Sequence, residues 1–200
     1  MKEQPVWEWE EAIEAFEAAD RLHPPPAGAI LFVGSSSIRL WRTLAEDFAE
    51  FPVVNRCFGG SRMRDSLRAV DRIVIPCRPR QVVVYAGDND IAFGGTPERM
   101  ADAFRQFVAK IHDALPETRV TYMAMKPCAS RWAKIDLFKE GNRLVEAFAE
   151  TDARLSFADT FSPLLDADGK PDDAFFLDDR LHLNAQGYAV WRRVVRPHLR

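Results

Sequence analysis

The 200-residue chain holds three cysteines, ten glycines and four histidines, and each scarcity excludes something. Cys57, Cys77 and Cys128 are odd in number and have no metal-ligand spacing. That argues against a disulfide scaffold or a thiolate metal site, and the thiols read as reduced and structural. The longest apolar run, Ala27 to Gly34, has eight residues, far short of the ~18 a membrane span needs. The N-terminal MKEQPVWEWEEAIEAF is acidic, helical in period and without an apolar h-region, so the chain reads as cytoplasmic. Positive charge is not in excess. Lys plus Arg is 27 against 30 Asp plus Glu, a net charge of −3, which gives no attraction for nucleic acid or an anionic membrane. The turn GSSSIR after the first strand lacks Gly-x-Gly-x-x-Gly, which disfavours a dinucleotide enzyme. No metal or other cofactor is expected, and neither repeats nor low-complexity tracts occur.

What is present is an ordinary globular composition, 47% hydrophobic and 28% charged, consistent with one domain over residues 1–200. Pro24-Pro25-Pro26 sets off a first helix, about Trp7 to Leu22, as an N-terminal extension at about 5–23. Beyond it, short apolar runs alternate with helix-period segments. The strand candidates are 29–34, 53–57, 81–87, 119–125 and 155–159, each nearly continuous in apolar residues as a strand covered on both faces should be. Thr96-Pro97-Glu98 opens a helix with Met100, Phe104, Phe107, Val108, Ile111 and Leu115 on one face. Trp132, Ile135, Phe138, Val145 and Phe148 mark the next helix, and Ala189, Val190 and Val194 the last. Arg64, Arg68 and Arg72 form an i, i+4 stripe that reads as a solvated helix face. The alternation argues a three-layer α/β/α sandwich around a five-stranded parallel sheet, with the ligand crevice at the carboxyl ends of the strands.

Four segments fall at that edge. In Gly34-Ser35-Ser36-Ser37 a strand-to-helix turn exposes a hydroxyl, although a serine here can equally be a helix cap. Ser36 lies at the apex. Ser35 is still leaving the strand, and Ser37 is expected to bond back to its own turn. Gly59-Gly60-Ser61 follows the second strand and can present backbone N–H groups, or serve as a flexible turn before a helix capped by Ser61. Gly87-Asp88-Asn89-Asp90 offers a neutral amide donor, or a common turn residue. In Asp178-Asp179-Arg180-Leu181-His182 the i, i+3 spacing lets a carboxylate orient the imidazole, or lets Asp179 cap the last helix. His182 is the one histidine with a carboxylate at i−3 near the strand ends. Together Ser36, Asp179 and His182, with the N–H groups of Ser36 and Gly60 and the Asn89 amide as oxyanion donors, are the parts acyl transfer needs.

These residues resemble the SGNH or GDSL hydrolases. FVGSSSIRLW resembles the first family block with Ser36 as nucleophile, NRCFGGS the second with Gly60, YAGDNDIA the third with Asn89, and DDRLHLNAQGY the fifth with Asp179 and His182. The resemblance covers about residues 29–197. It implies a flavodoxin-like sheet of order 2-1-3-4-5 and metal-free esterase, lipase, thioesterase or carbohydrate-deacetylase activity. Two positions depart from the pattern: Ser35 stands for the aspartate of Gly-Asp-Ser, and Arg180 for the glycine within Asp-x-x-His. The expected function is hydrolysis of short-chain, small-molecule esters through an acyl-enzyme, the alternative being a non-catalytic ligand-binding module on the same fold. Arg131 and Trp132, which follow the fourth strand, and Arg180, beside the Asp179–His182 pair, are the candidate substrate-binding residues.

Overall fold

The computed structural model describes residues 7–200. The apolar runs become strands β1 Ile30–Gly34, β2 Val53–Cys57, β3 Gln81–Tyr85, β4 Arg119–Met123 and β5 Leu155–Ala158. They form one parallel sheet in the order β2-β1-β3-β4-β5. Every residue of β1 and β3 is buried, as strands with helices on both faces must be. Gly34 lies opposite both Cys57 and Tyr85, so β1, β2 and β3 end at one level and the turns that leave them converge. β1 is also where the strand order reverses, the place such sheets open a crevice.

The helices are α1 Glu10–Leu22, α2 Ser36–Arg39, α3 Leu44–Asp47, α4 Met63–Ile73, α5 Asp88–Ala92, α6 Pro97–Ala114, α7 Ile135–Ala149 and α8 Ala185–Val195. α4, α6 and α7 pack side by side on one face, where Phe104 of α6 meets Tyr122 of β4 with ring centroids 5.0 Å apart. α8 covers the other face, where Trp191 meets Tyr85 of β3 at 4.9 Å and Tyr188 stacks on Trp41 at 5.2 Å. α6 starts as its residues dictate: Thr96 accepts from the Arg99 N–H and Pro97 occupies the first turn. Among the described residues no helix is long and apolar enough to cross a membrane. The three cysteines are free and buried, and burial pushes the Cys57 thiol well up.

Three local expectations are corrected. The sequence pattern starts the seventh helix at Trp132, but Ala129–Lys134 forms a separate 3-10 segment and the α-helix begins at Ile135. The Arg64, Arg68 and Arg72 stripe is not simply a solvated face. Arg72 bonds Glu10 and Glu17 of α1, and Arg68 lies 4.6 Å over the Trp7 ring. The reason is charge complementarity: the acidic side of α1 lies along the basic side of α4. Nor does α1 stand apart from the sheet body, because Ile13 is fully buried in the common core and Asp20 pairs with the buried Arg56.

Candidate active site

β1 ends at Gly34 with φ of 138°, and a Cβ there would lie 1.9 Å from the Tyr85 carbonyl oxygen. Glycine is required for β1 and β3 to leave the sheet this close together. Ser35, whose N–H donates to that carbonyl at 3.1 Å, then turns the chain into α2. Ser36 is the first helical residue, and its N–H finds no acceptor among the described residues. The Ser35 hydroxyl is buried without a partner. Ser37 does not bond back to its own turn as its sequence position suggests. Its Oγ accepts from Lys126 Nζ at 2.9 Å, because the side chain of Lys126 is fully buried directly behind α2.

Ser36 Oγ lies 2.9 Å from His182 Nε2, and His182 Nδ1 lies 2.6 Å from Asp179 Oδ2. The other Asp179 oxygen accepts the N–H groups of Leu181 and His182, both at 2.9 Å. Burial works to raise the Asp179 carboxyl, but these donors and the imidazole outweigh it and bring the group down to about 2. It is therefore ionised across the neutral range and holds Nδ1 as the protonated nitrogen, leaving Nε2 to accept. The loop is fixed at both ends. Leu177 N–H donates to the His182 carbonyl at 2.8 Å, and Asn184 caps α8 by accepting from Gln186 and Gly187 N–H. Since Asn184 provides the cap, the reading of Asp179 as the cap of the last helix is set aside.

The turn after β2 brings Gly60 to the same place, with φ of 78° and an N–H that has no acceptor among the described residues. Ser61 does not cap the following helix; its hydroxyl donates to the Gly34 carbonyl at 3.0 Å, tying the second turn to the first. Asn89, in α5, donates from Nδ2 to the Ser61 carbonyl at 3.0 Å and accepts on Oδ1 from Arg131 at 2.9 Å. Its second amide hydrogen remains available. Ser36, Gly60 and Asn89, each with a hydrogen-bond donor left over, thus line one cavity.

These groups line an open cavity of about 670 Å³ with Trp7, Trp9, Phe93, Arg39, Arg62 and Arg64. Of the candidate substrate-binding residues, Arg131 does line this cavity, although its guanidinium is committed to Asn89 and to Asp88 at 3.3 Å. Trp132 does not line it; the ring is covered by Lys170 Nζ, 4.6 Å above its centroid. Arg180 is also outside. Its backbone takes φ of 53°, which turns the side chain outward to pair with Asp173 at 2.9 Å. The sequence reading passed over Arg39, Arg62, Arg64, Phe93 and the two tryptophans. Arg39 could have been found, three residues after Ser36 on a helix, and Arg62 and Arg64 follow directly on the Gly59-Gly60 turn. Trp7 and Trp9 reach the site through the packing of α1, which no local pattern announces. Among the described residues no three metal-ligating side chains cluster as a metal site.

The model of the GDSL-like lipase/acylhydrolase family matches residues 32–190. No curated protein sequence gives a significant match. Among solved structures, a candidate platelet activating factor from Streptococcus pneumonia aligns with a TM-score of 0.86 at 18% identity, covering 96% of this chain and 93% of that one. A GDSL-like lipase from Bacteroides thetaiotaomicron VPI-5482 aligns at 0.78 and 16% identity, over 93% and 96%. An acetyl-xylooligosaccharide esterase mutant from Geobacillus stearmophilus aligns at 0.68 and 18% identity, over 85% and 93%. At these identities the structures establish the shared fold. The family match spans all four turns that converge on the cavity, and the strand order is the one the sequence motifs implied, so this chain belongs to the GDSL-like lipase/acylhydrolase family.

Proposed function

We propose that the protein is a serine esterase that hydrolyses short-chain esters of small molecules through an acyl-enzyme. The observation that carries this reading is the unbroken hydrogen-bonded line Ser36 Oγ, His182 Nε2, His182 Nδ1, Asp179 Oδ2, at 2.9 and 2.6 Å. In the first half-reaction Nε2 takes the Ser36 proton as Oγ attacks the ester carbonyl. Asp179 balances the imidazolium charge. The carbonyl oxygen gains its negative charge facing the N–H groups of Ser36 and Gly60 and the free hydrogen of Asn89 Nδ2. As the tetrahedral intermediate collapses, the imidazolium returns the proton to the departing alkoxide. Water then repeats the sequence on the acyl-enzyme and releases the acid with Ser36 restored.

The preference for short acyl chains is supported by the cavity wall. Arg39, Arg62 and Arg64 stand among the apolar side chains of that wall, so a long alkyl tail laid along it would desolvate guanidinium groups. The similarity to an esterase of acetylated xylooligosaccharides adds sugar acetates to the substrates worth trying. The decisive experiment is active-site labelling. A fluorophosphonate should modify one serine, mass spectrometry should place the adduct on Ser36, and Ser36→Ala should abolish both labelling and hydrolysis of 4-nitrophenyl acetate. An adduct elsewhere, or full activity in Ser36→Ala, would overturn the reading. A panel of 4-nitrophenyl esters should show the rate falling as the acyl chain lengthens.

A further inference from the structure

We infer that the ester this site takes carries an anionic oxyacid group, a carboxylate or a phosphate, on its leaving-group side. The inference rests on the esterase reading of Ser36 and names the substrate class of that same site. Arg39, Arg62 and Arg64 line the cavity that holds Ser36 and His182. Elsewhere arginines close onto carboxylates, Arg72 onto Glu10 and Glu17 and Arg154 onto Asp152. None of the three cavity arginines has such a partner among the described residues. The nearest acid in sequence, Asp65, also lines the cavity but is spent otherwise: one oxygen accepts from the Arg62 backbone N–H at 2.9 Å and the other from the Trp7 indole at 3.4 Å. Glu8 is the one other acid of the lining.

The arginines are also placed. The Arg62 guanidinium rests 4.9 Å over the Phe93 ring, although Phe93 is itself 64% exposed at the cavity edge. Arg39 lies against the bare backbone of Gly59, in space that a Cβ would contest. A chain of net charge −3 has thus gathered positive charge around its candidate nucleophile. Guanidinium groups drawn together repel one another, and an oxyacid anion among them offsets that repulsion while accepting paired N–H bonds. The anion belongs to the leaving group because a short acyl chain occupies little of a 670 Å³ cavity, and the leaving group must fill the rest.

The test compares three aryl acetates that differ only at the para position: 4-acetoxybenzoate, 4-acetoxyphenyl phosphate and the neutral 4-acetoxybenzamide. At low ionic strength kcat/KM for at least one anionic ester should exceed that of the amide by about tenfold or more, and the better of the two names the oxyacid. The preference should shrink several-fold in about 0.5 M NaCl. In the double variant Arg39→Gln/Arg64→Gln, changes at two exposed positions, the ratio of anionic to neutral turnover should fall close to one. Equal or faster turnover of the neutral ester by the unmodified protein would overturn the inference while leaving the esterase reading in place. So would a preference that neither salt nor the double variant reduces. If none of the three is hydrolysed and a fluorophosphonate leaves Ser36 unlabelled, the esterase reading itself fails.

Discussion

Arg131 donates to Asn89 Oδ1 at 2.9 Å, and this bond decides which end of the Asn89 amide faces the candidate nucleophile. With Oδ1 held by a cation and one Nδ2 hydrogen given to the Ser61 carbonyl, the remaining hydrogen is left without a partner in a residue that lines the cavity. Asn89→Ala should therefore lower kcat about 10²- to 10³-fold with little change in KM. Arg131→Met removes no donor from the oxyanion site but frees the amide to turn, so a smaller loss, about tenfold and again in kcat, is expected. A change confined to KM in Arg131→Met would mean that the guanidinium binds substrate instead of positioning Asn89.

The Asp179 carboxyl, held down to about 2, should play no part in any loss of activity between pH 7 and pH 4. His182 Nε2 is the acceptor that takes the Ser36 proton. His182→Ala should cost several orders of magnitude in kcat. Asp179→Asn, which can no longer fix Nδ1 as the protonated nitrogen, should lose about 10⁴-fold. Asp179 also contributes to stability. Its folded value lies below the ordinary 3.8, so the stabilisation is present above that pH and is lost as pH falls toward 2. Equal pH profiles for the unmodified protein and a His182→Ala variant of measurable activity would assign the base elsewhere.

How far the sequence carries the reading differs by residue. The strands were legible because each is buried on both faces and so is written as an unbroken apolar run. Ser36, Gly60, Asn89, Asp179 and His182 were legible because each sits within a few residues of a strand end or helix start, where local pattern and topology meet. Arg131 was rightly brought to the crevice by its place after β4, but its partner could not be read, since Asn89 lies 42 residues away. Trp132, one residue further in the 3-10 segment, lies outside the cavity and packs against the hydrophobic core instead. Lys126 carries no local signal of where it lies. A lysine after a strand reads as exposed, yet it is fully buried, bonded to Ser37 Oγ at 2.9 Å and to the Tyr85 hydroxyl at 3.2 Å, and 3.8 Å from Asp88. Its partners come from the turn after β1 and from the end of β3 and the turn after it, and only the assembled sheet makes burial of that charge tolerable.

The glycine that Arg180 replaces in the family pattern has a physical reason here. Arg180 has φ of 53°, a left-handed conformation that costs a side-chain-bearing residue about 1 kcal/mol relative to glycine. Its ion pair with Asp173 returns little, because the two side chains are 58% and 64% exposed. Arg180→Gly should accordingly raise the melting temperature by a few degrees, and kcat/KM for 4-nitrophenyl acetate should stay within about twofold. A large fall in kcat/KM would return Arg180 to the substrate-binding residues.

Asp90 lies beneath the turn that carries Gly60, and its Oδ2 accepts the Met63 N–H at the start of α4 at 2.8 Å. Burial outweighs that bond, and with the nearby Asp88 and Asp65 it raises the carboxyl to about 6 from an ordinary 3.8. Between those two values the folded state binds more protons than the unfolded one. Stability therefore falls as pH rises through this window, by on the order of 3 kcal/mol from this group. Asp90→Asn keeps an oxygen for the Met63 N–H and removes the charge. The variant should match the unmodified protein near pH 4 and become progressively more stable than it toward pH 7, measured by chemical denaturation at a series of pH values. The opposite trend, with the variant losing ground as pH rises, would show that the carboxylate is ionised and held by Arg62, Arg64 or Arg99, which share its cavity. In that case Arg62 and Arg64 would be partly neutralised from below, and the preference for anionic esters should be correspondingly weaker.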